Sequence, residues 1–233
     1  MPNNKCVKMP KVNIFKKANS APALNEWDYV YRETLGLKKE HAHHKKQKVL
    51  IHTIRHKESE FYLRNAESVL KSWDVVSASL ITFGSRDRAQ WADVGLLLAV
   101  PPQNIIGTYP CDISFPNNIG NEPNTPRKPM ELMSRYFYTY QAGGWGYDTF
   151  SVLISPNDKL MASGHSLHGH NEVVSVCKPH INTYEGRPPT QPIQVCGIYI
   201  HPNNSIITDE IISITSKLKA MNPDLPVFKY GGL

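Results

Sequence analysis

Cysteine is scarce in this chain, and the four present, Cys6, Cys111, Cys177 and Cys196, are widely spaced with no CxxC pair. That spacing excludes zinc-ribbon and thioredoxin-type sites and fits separate thiols in a reducing compartment. No run of eighteen apolar residues occurs, so no transmembrane segment is expected. The N-terminal stretch has no apolar h-region, so a classical signal peptide is not expected either. No HExxH pattern and no internal repeat is found. The body also lacks an excess of positive charge. The formal net charge is +6, but residues 1–48 hold eleven Lys/Arg against four acids, a net +7, and the remainder holds fifteen against sixteen, a net −1. A neutral body lacks the basic face of a nucleic-acid binder, and nucleic acid is not favoured as a partner. The basic leader could touch phosphates or acidic lipids, or be a solvated arm.

The 233 residues, 40% of them hydrophobic, suit one domain with extensions. Residues 1–47 are expected to be a basic, partly disordered leader, with 1–25 disordered and a short helix over 26–40 carried by Trp27, Val30, Tyr31 and Leu35. Residues 48–233 then form a single α+β domain. Strands are expected over 48–55, 74–82, 94–100, 104–113, 148–154, 172–176 and 193–200. Helices are expected over 58–73, 129–141 and 208–221, the last packing through Ile211, Ile212, Ile214, Leu218 and Met221. The stretch from Pro116 to Pro129, rich in proline and asparagine, is a loop, and residues 163–171 form a Gly/His loop that runs into Glu172.

Three pieces, in order, carry the chemistry. The first strand ends in polar residues, His52, Thr53 and Arg55. The next is a Ser-x-Ser strand, Ser77-Ala78-Ser79. The third is Asn171-Glu172-Val173-Val174, a glutamate opening a strand, with a second strand ending at Ile200 about twenty residues on. This order resembles the mono-ADP-ribosyltransferase superfamily of bacterial toxins and effectors. The apolar strand stopped by Val100-Pro101-Pro102 is also similar to the family strand that follows Ser-x-Ser.

The resemblance implies a split antiparallel β-sheet around an NAD site, with flanking helices and NAD as substrate. It implies that Glu172 stabilises an oxocarbenium-like state at the ribose, as in glycoside chemistry, and that Ser77 and Ser79 brace it. It implies that either Arg55 or His52, with Thr53, holds the dinucleotide. On one strand His52 and Ile54 share a face and Ile51, Thr53 and Arg55 the other, so only one of the two candidates points into the pocket, and Arg55 is preferred. Many toxins carry Glu or Gln two residues before the catalytic glutamate. His170 stands there in this chain and is expected to choose or activate the acceptor. Tyr136, Phe137, Tyr140 and Trp145 are ring candidates for nicotinamide. The expected partner is a host protein acceptor. The expected setting is secretion without a classical signal peptide, followed by action in the host cytosol as a toxin or virulence effector. No metal is expected.

Other readings use the same residues. His165, His168 and His170 with Glu172 could bind zinc as a metal-dependent hydrolase. Cys111 or Cys177 with one of these histidines could form a nucleophile pair. A noncatalytic binding module would use the basic leader as its contact.

Overall fold

A computed structural model describes residues 21–37, 47–54, 60–73, 75–83, 92–109, 153–159, 161, 170–181, 187–202 and 206–229. The architecture is α+β. Helix α1 (Ala21–Gly36) precedes strand β1 (Lys48–Thr53), and the short helices α2 (Glu60–Leu63) and α3 (Ala66–Ser72) follow. Strands β2 (Val75–Thr82) and β3 (Val94–Ala99), a 3-10 turn (Pro102–Asn104) and β4 (Ile105–Tyr109) come next. Strands β5 (Glu172–Val176) and β6 (Gln194–Ile200), helix α4 (Asp209–Met221) and strand β7 (Val227–Lys229) complete the described elements.

The seven strands form one sheet in the order β4-β5-β2-β1-β3-β6-β7. Its pairings are antiparallel except that of β6 with β7, which is parallel. Strand alternation sorts the side chains into two apolar layers. The larger gathers Leu50, Ile54, Leu80, Leu96 and Leu98 beneath Phe61 and Leu70 of the α2–α3 region and Ile211, Ile214 and Leu218 of α4. The other gathers Val49, Ile51, Ile81, Leu97, Ala99 and Tyr199 with Leu37. Both faces of β3 are thus covered, which is why its sequence is an unbroken apolar run.

Gly95 lets β1 and β3 approach. A Cβ there would lie 2.6 Å from the Ile51 side chain and 2.8 Å from the His52 carbonyl.

The helices differ from expectation in three places. The helix expected over 58–73 is two, broken at Arg64 and Asn65, because the Asn65 side chain accepts from the backbone N–H groups of Glu67 and Ser68 and starts α3 afresh. The helix expected from residue 26 begins at Ala21, and its Trp27 and Val30 are buried. The folded body therefore takes in residues assigned to the leader. In α4, capped by Thr208, Ile212 is not a packing residue: it is 54% exposed.

Leu153 and Ile154, expected to end a strand, are buried but irregular. Strand β7, too short to show a period, was not expected. The helix expected over 129–141 lies outside the described residues.

Candidate functional site

The sheet divides at β2. Residues Ser79 to Thr82 pair with β1, from Ile51 to Lys48, while Val75 to Ala78 pair with β5, from Val176 to Val173. One strand therefore belongs to two ladders, and each ladder stops near the middle of β2. Ser77 and Ser79 lie at this changeover.

Alternation fixes which side chains meet. Val76, Ala78 and Leu80 face the larger core, as does Val173. Ser77, Ser79 and Ile81 of β2 therefore face the other side, with Glu172 and Val174 of β5. Ser77 stands opposite Val174, so Glu172 is its diagonal neighbour on the same face, within reach of a long side chain. The contact is made. Ser77 Oγ donates to Glu172 Oε1 at 2.6 Å, across 95 residues of sequence. That distance is short within the range of O–H···O hydrogen bonds. Glu172 is only 2% exposed, so the bond offsets part of the cost of burying an acid.

His52 lies on the opposite face. Its ring packs against Phe61 and Trp73 at centroid distances of 5.6 and 5.7 Å, and its Nδ1 sits 2.7 Å from the Ser77 carbonyl oxygen. A carbonyl only accepts, so Nδ1 carries the proton and donates. The Ser77 carbonyl points toward β1 just beyond the last β1–β2 pair, and His52 supplies the donor that the ladder no longer provides. Thr53, opposite Gly95, falls on the serine side by alternation. Arg55 lies outside the described residues.

On the other edge of β2, Asn171 does a similar job. Its Oδ1 accepts from Leu80 N–H at 2.7 Å, and its Nδ2 donates to the carbonyls of Leu80 and Met161, both at 2.9 Å. The sequence gives no sign of this role beyond a polar residue at a strand start, because the partners are backbone atoms of distant segments.

The structure thus brings His52, Ser77 and Glu172 into one connected chain of contacts. Ser79 and His170 are buried nearby in sequence. His165, His168, Cys111 and the rings Tyr136, Phe137, Tyr140 and Trp145 lie outside the described residues. Cys177 and Cys196 are buried thiols, not in a disulfide. Among the described residues no group of three or more His, Cys, Asp or Glu is arranged to hold a metal ion, and no helix is long and apolar enough to cross a membrane. Comparison of the chain with protein-family models, curated proteins and solved structures finds no match.

Proposed function

We propose that this protein is a mono-ADP-ribosyltransferase that moves ADP-ribose from NAD to a target, a host protein side chain, as a secreted bacterial effector. The observation that carries the reading is the Ser77–Glu172 hydrogen bond. It joins the Ser-x-Ser strand to the glutamate strand in the way the sequence resemblance implies. The adjacency of β1, β2 and β5 and the division of β2 between two ladders support it further, as the basis of a split-sheet NAD site.

In this reading the bond between ribose C1′ and the nicotinamide nitrogen breaks, and nicotinamide leaves with the bonding electron pair. The acceptor's nucleophilic atom then bonds to C1′ and gives up its proton. Glu172 stabilises the positive charge that develops on the ribose. Ser77 holds one carboxylate oxygen, and His170 takes the acceptor's proton. The dinucleotide role falls to Arg55 rather than His52, because the His52 ring is packed against the Phe61–Trp73 pair on the far face.

The test is incubation of wild type and Glu172→Gln with labelled NAD and a eukaryotic cell lysate. The wild type is expected to label a discrete acceptor and release nicotinamide, and the variant to lose about 100-fold or more of that rate. Folded wild-type protein that neither labels nor releases nicotinamide would overturn the reading.

A further inference from the structure

The β2–β5 register pairs Ala78 with Val173. Two steps further, an undisturbed ladder would set Leu80 opposite Asn171 with both backbone hydrogen bonds exchanged. Leu80 does have both bonds, but to a side chain: the Asn171 carboxamide accepts from its N–H and donates to its C=O. A carboxamide has the donor and acceptor of a peptide group, so it can stand in the ladder as one. Its second N–H holds the Met161 carbonyl. All three bonds are internal, and the residue is 1% exposed.

The consequence lies one residue on. Glu172 follows directly after this anchor, and its side chain reaches forward along β5 to Ser77, which stands opposite Val174. The anchor grips β2 at Leu80, and the carboxylate grips it at Ser77.

We infer that Asn171 is a positioning residue for Glu172: it fixes the strand start from which the carboxylate reaches Ser77 and does not itself touch substrate. The kinetic part of this inference rests on the transferase reading above; the geometric part does not.

Three variants test it: Asn171→Ala, Ser77→Ala, and, as a matched control, Asn222→Ala. Asn222 is equally internal. It accepts from Asn65 and from Ala66 N–H and donates to the Leu218 carbonyl, but it ties α3 to α4. Asn171→Ala is expected to lower kcat for nicotinamide release about 100-fold, as misplacement of a reacting group by an ångström does, with KM for NAD nearly unchanged. The Glu172 carboxyl, followed by carbon NMR, is expected to change its titration in the same direction as in Ser77→Ala. Asn222→Ala is expected to lose thermal stability while keeping both properties. Should Asn171→Ala not fold, Asn171→Ser, which puts a shorter hydroxyl in place of the carboxamide, is expected to show the same pattern.

Equal loss of kcat in the Asn171 and Asn222 variants, or a Glu172 titration unmoved by loss of Asn171, overturns the inference. A wild type that releases no nicotinamide sinks the transferase reading alone, and the titration still decides the positioning role.

Discussion

At the residue scale, the site depends on where β2 changes partners. Ser77 uses its hydroxyl on one side of the strand and its carbonyl on another, so the two can be tested separately. Ser77→Ala removes a bond to a carboxylate, worth about 1.5–3 kcal/mol. If that bond matters in the transition state, kcat/KM for NAD falls by roughly 10- to 100-fold, measured as nicotinamide release. His52→Phe keeps a ring against the Phe61–Trp73 pair but removes the donor to the Ser77 carbonyl. It is expected to lower the unfolding free energy by about 0.5–1.5 kcal/mol, the net worth of a part-buried hydrogen bond, and to leave KM for NAD unchanged. Urea titration and steady-state kinetics check the two halves. A large rise in KM in His52→Phe would return the dinucleotide role to His52.

At the element scale, the sheet needs close approach where β1 ends. Gly95→Ala would drive a methyl group against Ile51 and into the His52 carbonyl, and the backbone cannot yield as a flexible side chain can. A loss of about 1–3 kcal/mol, typical of overpacking, is expected in chemical unfolding. Much of this architecture was legible. The apolar runs of β1 and β3, the alternation over residues 76–80 of β2, and the spacing of Ile211, Ile214 and Leu218 in α4 mark those elements, because burial shapes the sequence. The candidate pair Ser77 and Glu172 was legible as an ordered pattern. What escaped depends on a single local cap or on distant partners. The α2–α3 break needs one asparagine to cap a helix, inside a stretch whose apolar stripe continues through it. Strand β7 has three residues, and Gly197 leaves room for the Phe228 ring of its partner strand. The division of β2 between two ladders has no signature in the segment itself.

At the scale of the whole molecule, the N-terminal part is fastened to the sheet. Trp27 Nε1 donates to the Ile154 carbonyl at 2.9 Å, Ser155 Oγ donates to Glu26, and Lys48 Nζ donates to the Pro156 carbonyl. Helix α1, the start of β1 and the 153–158 segment are thereby joined. This junction has a pH signature. Burial, the larger effect, lowers the Lys48 pKa from its ordinary 10.5, against the opposing pull of Glu26. The folded protein then holds that proton less tightly than the unfolded chain does. Between the lowered value and 10.5 the unfolded state binds more protons, so the contribution of Lys48 to stability rises with pH across that window and is flat below it. A simple ion pair between Lys48 and Glu26 would behave in the opposite way, losing its contribution as the amine deprotonates. Lys48→Met has no such proton. The difference in urea midpoint between wild type and Lys48→Met is therefore expected to move in favour of the wild type as pH is raised from neutral toward 10.5. A difference that moves the other way would mean that attraction to Glu26 outweighs burial, and that the junction is held by charge rather than by the part-buried hydrogen bond to Pro156.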